Sequence, residues 1–292
     1  MRGFTPEKTR VLLAAVCRQA GLDPSDAELL RHQSNAVYLL GTMPVIVKIA
    51  RPDDDAEQIQ RTVQLTRWLM GSGFPTVPLL DIEQPVVADG AIATFWRYLA
   101  QTRPIEAGDI ASPLRRLHDL PKPAIEVPRL DAIAAIRRSL SKHRILSPGE
   151  YANLAERCDI LEGQLADIRY DGPEMLLHGD PQHRNTLWDG DTAVLADWDS
   201  AVIGNFEYDL VTIEIHCRRF GHSDRTYADF CRTYGRDIRD WPGYRTLRDI
   251  RELRMIATNA RKSDPGSPGA AEVHRRIHEL GHERFSSHWQ IL

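Results

Sequence analysis

The spacing of apolar residues changes character once along this chain, near Leu99, and a fold built from one kind of element cannot accommodate both halves. Before that point short runs of period two dominate. Asn35 to Leu40, Val45 to Ile49, Val77 to Ile82 and Ala91 to Leu99 read as strands, the first two joined by turn residues 41–44. One helix lies among them, opened by the carboxylates Asp53, Asp54 and Asp55, running to about Met70 and stopped by Gly71 and Gly73. Another precedes them from Thr5 to Leu22, with Thr5 as N-cap, Pro6 in the first turn and Gly21 at the exit. Beyond Leu99 the period becomes helical: Ile110 to Asp119, Leu130 to Ile145, a helix opened by the capping box of Ser147 and Glu150, then Phe206 to Arg219, Tyr227 to Tyr234, Tyr244 to Arg261 and Ala270 to His288. That run is broken once, by Met175 to His178 and by a hairpin of Thr186 to Trp188 and Thr192 to Ala196 about Asp189-Gly190. The expected class is α+β and bilobal: a small antiparallel-sheet lobe over residues 1–99 and a mainly helical lobe over residues 100–292.

At 292 residues the chain can bury a core in each of two lobes. A formal charge of -4 argues against a nucleic-acid partner held by bulk electrostatics. Between Met1 and Arg10 charged residues recur, with no apolar run behind them long enough for a signal peptide or a membrane span, so a cytoplasmic location without membrane association is expected. Cys17, Cys158, Cys217 and Cys231 form no CxxC pair and read as reduced packing residues.

The interruption of the helical half carries the polar residues of interest. It reads Leu177-His178-Gly179-Asp180-Pro181-Gln182-His183-Arg184-Asn185, then the hairpin, then Ala196-Asp197-Trp198-Asp199. Phosphoryl transfer needs a carboxylate to orient a hydroxyl and take its proton, and oxygen ligands to hold magnesium against a triphosphate. Asp180, Asn185 and Asp197 supply that set.

These residues resemble the HGDxxxxN loop and the following IDxD-type metal motif of the aminoglycoside phosphotransferase family, enzymes of protein-kinase-like fold. The other markers are Lys48 in Val45-Ile46-Val47-Lys48, the stretch Phe95-Trp96-Arg97-Tyr98, Leu114 to His118, and Tyr208-Asp209-Leu210. The resemblance implies a small-molecule kinase using Mg2+ and ATP or GTP, with a hydroxylated acceptor such as an antibiotic, a nucleoside antibiotic or a sugar. It implies Asp180 as catalytic base, Asn185 and Asp197 as metal ligands, and Lys48 as the cation on the α- and β-phosphates. His178 and Asp209 would hold the loop in shape. The base would bond to the backbone of Phe95, Trp96, Arg97, Tyr98 and Leu99 between Ile46 and Leu187, with the nucleotide lying between the lobes.

Three departures stand out. Gln33-Ser34-Asn35-Ala36 takes the place of a glycine-rich loop, so Ser34, Asn35 and backbone amides would meet the phosphates. Thr62 stands where the family commonly has the glutamate that pairs with the lysine, which leaves Glu57 as the candidate. Gln182 replaces a frequent histidine, while His183 and Arg184 add donors.

Asp199 divides evenly between a carboxylate behind the metal ligands and a turn cap. Trp96, Trp188 and Trp198 read as core. Arg248, Arg251 and Arg254 read as a solvated helix face. Two rival functions use the same residues: a two-metal phosphohydrolase with His178, Asp180, His183, Asp197 and Asp199 as ligands, and a nucleotide-binding pseudoenzyme. From Asn205 to Leu292 about fifteen basic residues face about thirteen acidic ones, so a neutral or anionic acceptor is expected rather than a polycation.

Overall fold

The computed structural model describes residues 4–33, 35–280 and 288–290. In chain order the first elements are α1 (Pro6–Ala20), β1 (Glu28–His32), β2 (Ala36–Leu39), β3 (Val45–Ile49), α2 (Ala56–Gly71), β4 (Val86–Ala88) and β5 (Ala91–Arg97). There follow α3 (Ala107–His118), α4 (Ala132–Leu140), α5 (Pro148–Ala166), β6 (Met175–Leu177), β7 (Thr186–Asp189), β8 (Thr192–Leu195) and β9 (Val202–Gly204). The chain continues with α6 (Glu207–Arg219), α7 (Asp224–Tyr234), α8 (Tyr244–Lys262) and α9 (Pro268–Glu279).

Two compact units result. The first comprises residues 1–105, 122–127 and 183–200; the second comprises 106–121, 128–182 and 201–292. They divide differently from the 1–99 and 100–292 expected of the sequence. The reason is the β7–β8 hairpin: Leu195 donates to Pro75 and accepts from Val77, both at 2.9–3.0 Å, which attaches residues 183–200 to the sheet-bearing unit.

In that unit the five strands run in the order β1-β2-β3-β5-β4, antiparallel throughout. Period two gives the sheet two faces. Val45, Val47 and Ile49 turn toward α1 and share a core with Leu13, Val16, Tyr38 and Phe95. Ile46 and Lys48 stand on the opposite face, and Ile46 pairs across the ladder with Trp96. Helix α1 has the expected Thr5 cap and ends at Gly21 in the left-handed conformation. The strand expected at Val77 to Ile82 is replaced by an irregular segment with a single bridge, Leu79 to Trp96; Pro78 denies it a ladder donor, and Val86–Ala88 takes the edge of β5 instead.

The second unit is helical around one short antiparallel pair, β6 with β9. Helix α6 is buried on nearly every side, and its Asp209 is fully enclosed. Helix α8 buries Leu247, Ile250, Leu253, Ile256 and Ala257. The expected helix from Ala270 ends at Glu279, and residues 281–287 lie outside the described residues. No helix of the described residues is long and apolar enough to cross a membrane.

Candidate active site

The first unit gathers the residues expected to hold a nucleotide. Lys48, 18% exposed, donates to Asp197 Oδ1 at 3.0 Å and to Asp199 Oδ2 at 2.8 Å. Burial works against the ammonium, but the two carboxylates outweigh it and raise its proton affinity, so Lys48 stays charged. Burial pushes the Asp199 carboxyl up; Lys48 draws it down and the charge of Asp197 adds to the rise. Asp199 is further fixed by Thr62, whose hydroxyl donates to Oδ1 at 3.2 Å, and by Gln58, whose amide donates to its carbonyl at 2.8 Å.

Asp197 has φ 64°, the left-handed region, which costs a non-glycine residue about 1 kcal/mol or more. Asp is one of the few residues that tolerate it, and the conformation brings its carboxylate to Lys48 directly after β8. Asn185 is buried in a 3-10 turn over His183–Asn185, and its carbonyl accepts from Ala196 N–H at 2.8 Å, which ties the turn to the residue before Asp197. Asp197 and Asn185 offer hard oxygen donors, the chemistry that Mg2+ selects, and Mg2+ is usually held by one or two such side chains plus substrate phosphates. The donor set fits that ion. Among the described residues no group of three or more His, Cys, Asp or Glu is placed to hold a metal ion by itself.

On the same face of the sheet Ile46, Leu187 and Ala196 pack against Val63, Val77, Leu79, Trp96, Leu99 and Val194. Ile46, Trp96 and Leu187 thus come together as the sequence reading expects. Phe95 does not: it points into the α1 core, fully buried, because it alternates with Trp96. The N–H groups of Phe95, Arg97 and Tyr98 already donate to Gln84 Oε1, Pro78 and Pro44 at 2.8–2.9 Å, which closes these amides to a base edge. The Arg97 side chain pairs with Asp189. Asn35 accepts from Gln33 N–H at 3.1 Å, and Ser34 lies outside the described residues. Glu57 is not the partner of Lys48: its side chain is 88% exposed and pairs with Arg61 at 3.7 Å. It sits on the first turn of α2, whereas Thr62, more than a turn further on, is buried and reaches Asp199.

The second unit carries Asp180, the expected catalytic base. Gly179 has φ 77°, a conformation that glycine adopts without strain, and the turn there exposes Asp180. The loop is pinned from beneath: Asp209 accepts from the N–H groups of His178 at 2.8 Å and Gly179 at 2.9 Å, and from His118 Nε2 at 3.1 Å. His118 in turn meets the Tyr234 hydroxyl at 2.8 Å. His178, wholly buried, accepts from Asp180 N–H at 3.3 Å. Gln182 donates to Asp180 Oδ2 at 2.7 Å, and Arg251 pairs with Oδ1 while reaching Gly179 C=O at 3.4 Å. Burial pushes the Asp180 carboxyl up, yet Arg251, with His216 and His178, outweighs it and holds it at about 2.

Sequence reasoning missed one residue. Arg251 is 5% exposed and pairs with Asp180, not part of a solvated face; Arg254 reaches the Tyr208 hydroxyl, and Arg248 pairs with Asp249. The signal was present, since Arg251 follows Leu247 by four residues and so shares its buried face. Asp199, divided in the sequence between a carboxylate behind the metal ligands and a turn cap, pairs with Lys48 and Thr62. Trp96, Trp188 and Trp198 are core, as expected.

A model described as the phosphotransferase enzyme family matches residues 26–248. The chain is similar in structure to a choline/ethanolamine kinase family protein from Mesorhizobium loti, at 18% identity over 95% of each chain with a TM-score of 0.67. It is similar to an amicoumacin kinase in complex with AMP-PNP, Ca2+ and Ami, at 14% identity over 92% of this chain and 91% of that one, TM-score 0.70. It is also similar to a spectinomycin phosphotransferase in complex with ADP and spectinomycin, at 14% identity over 97% of each chain, TM-score 0.65. At these identities the likeness concerns the fold, a small antiparallel sheet with a helical region in the protein-kinase-like manner. No curated protein matches the chain in sequence.

Proposed function

Because the chain belongs to the phosphotransferase enzyme family, we propose that it transfers the γ-phosphoryl group of ATP or GTP, bound with Mg2+, to a hydroxyl of a neutral or anionic small molecule. The observation that carries this reading is Asp180: an aspartate kept ionised by Arg251, on a loop whose backbone is fixed by a buried carboxylate. In the first unit Lys48 would meet the α- and β-phosphates, and the base would pack on the apolar face of Ile46, Trp96 and Leu187, with Leu99 rather than Phe95 as the nearest backbone partner. Asn185 and Asp197 would hold Mg2+, which when bound neutralises charge on the phosphate oxygens. Lys48 would then exchange part of its contact with Asp197 for phosphate.

Asp180 would accept a hydrogen bond from the acceptor hydroxyl and aim its oxygen at the γ-phosphorus. As the new P–O bond forms and the bond to the bridging oxygen breaks, the hydroxyl proton passes to Asp180 and the nucleoside diphosphate leaves. A carboxylate held near pKa 2 is a weak base. That suits a loose transition state in which the proton moves late and the base chiefly orients the nucleophile. Self-protection against an antibiotic, or biosynthetic tailoring, is the setting this chemistry fits.

Asp180→Asn should lower kcat by about 100-fold or more while leaving nucleotide affinity nearly unchanged, measured by coupled turnover and calorimetry on the purified variant. Turnover like that of the unmodified protein would remove Asp180 from the mechanism.

A further inference from the structure

Charges along α6 and α8 do not balance, and one arginine of the surplus, Arg254, follows by one helical turn the Arg251 that pairs with Asp180. Arg218 reaches Glu214 at 2.9 Å and shares Glu252 with Arg219 at 2.8 Å. Arg157 and Arg248 share Asp249 at 3.0 and 2.8 Å. Every carboxylate of this network is thereby engaged, two of them by two arginines each. Arg251 is matched by Asp180 itself. Arg254, three residues on, has no carboxylate partner among the described residues; it donates to the Tyr208 hydroxyl and lies 5.9 Å from that ring's centre, the same distance as Arg251. The two guanidinium groups therefore flank one buried tyrosine, and Arg254 is only half buried. His216 on α6 and His178 on the loop also act electrostatically on Asp180.

Such surroundings are wrong for a cationic acceptor. A quaternary or primary amine brought to Asp180 would meet a carboxylate whose charge Arg251 already matches, with Arg254 one turn further along α8. A planar fork with unused N–H donors instead matches a carboxylate or phosphate, whose two oxygens it can take together. We infer that the acceptor carries its own oxyanion, a carboxylate or a phosphate ester near the reacting hydroxyl, and that Arg254 binds it. This rests on the kinase reading and narrows it: Arg254 is a specificity residue of the acceptor site.

The test is coupled turnover with ATP and Mg2+ on matched acceptors: hydroxy acids and sugar acids beside their amides, sugar phosphates beside the parent sugars, and amino alcohols. For at least one pair the charged member should show kcat/KM about tenfold or more above its neutral partner, and the carboxylate and phosphate arms tell which oxyanion is meant. Arg254→Gln should reduce that ratio about tenfold, and Arg254→Lys should keep part of it, since lysine supplies the charge without the fork. Neutral members or amino alcohols used as well as or better than the acids would overturn the inference. So would an unchanged ratio in Arg254→Gln that folds by circular dichroism; should that variant not fold, the unmodified protein's panel alone decides. Turnover confined to neutral or cationic acceptors sinks the oxyanion alone. Absence of Asp180-dependent turnover with every compound removes the kinase reading, and this inference with it.

Discussion

Thr62 and Asp199 together do for Lys48 what one glutamate on α2 would do. The threonine is too short to reach the ammonium, so it grips Asp199, and Asp199 grips Lys48. A hydrogen bond to a charged group contributes about 1.5–3 kcal/mol, and the lower figure applies because Asp199 is 40% exposed. Asp199→Ala should therefore weaken nucleotide binding about tenfold, with a smaller effect from Thr62→Val, read by titration calorimetry; equal affinity in both variants would mean that Lys48 needs no such anchor. The second residue-scale consequence concerns acid. Asp180 is held near 2 in the folded protein, below the value near 4 expected when unfolded. Its ion pair with Arg251 thus contributes stability that is complete above about pH 4 and is lost as pH falls through about 2. That difference corresponds to about 2 kcal/mol. Asp180→Asn should be less stable than the unmodified protein by about that amount at pH 7, and the gap in urea unfolding should close toward pH 2. A gap independent of pH would show that the pair contributes nothing through ionisation.

At the scale of elements the catalytic loop depends on α6. Asp209 satisfies two loop amides and His118 from a position with no access to water, so Asp209→Ala leaves three buried donors without a partner. The expected loss is about 3 kcal/mol of stability with a fall in kcat, measured by urea unfolding and turnover; a variant as stable as its parent would show that the loop is held by other contacts. What the sequence disclosed at this scale follows the range of the forces involved. The alternation of Val45 to Ile49 is local, so it sorted Lys48 from the core correctly, as did the caps of α1 and α5. Val77 to Ile82 is equally apolar, yet Pro78 and the arrival of β8 decided its shape, and β8 is more than a hundred residues away. Arg251 was misread for the same reason: a helix pattern says which face is buried, while the partner that makes a buried arginine tolerable comes from a loop about seventy residues earlier.

At the scale of the whole molecule, the groups assigned to nucleotide and those assigned to the acceptor's proton belong to different compact units. Lys48, Ile46, Leu187, Asn185, Asp197 and Asp199 lie in the first; Asp180, Asp209, Arg251 and Arg254 lie in the second. The chain crosses from one set to the other more than once, between Gln182 and His183 and again between Ser200 and Ala201. If the assignment is right, binding and chemistry separate by mutation. A ligand that binds only the folded protein stabilises it by mass action, about 2.7 kcal/mol at a hundred times its Kd. Mg2+ with a non-hydrolysable ATP analogue should raise the unfolding midpoint of the unmodified protein accordingly. Asp180→Asn should show the same rise from its own lower starting point, because Asp180 belongs to the second unit and is not among the residues assigned to nucleotide. Asp197→Ala should show little or none, since the triphosphate then lacks its metal ligand and Lys48 keeps only one of its two carboxylates. The differential is the informative quantity, as each variant serves as its own reference. A midpoint rise preserved in Asp197→Ala, or lost in Asp180→Asn, would place nucleotide recognition on residues other than those named.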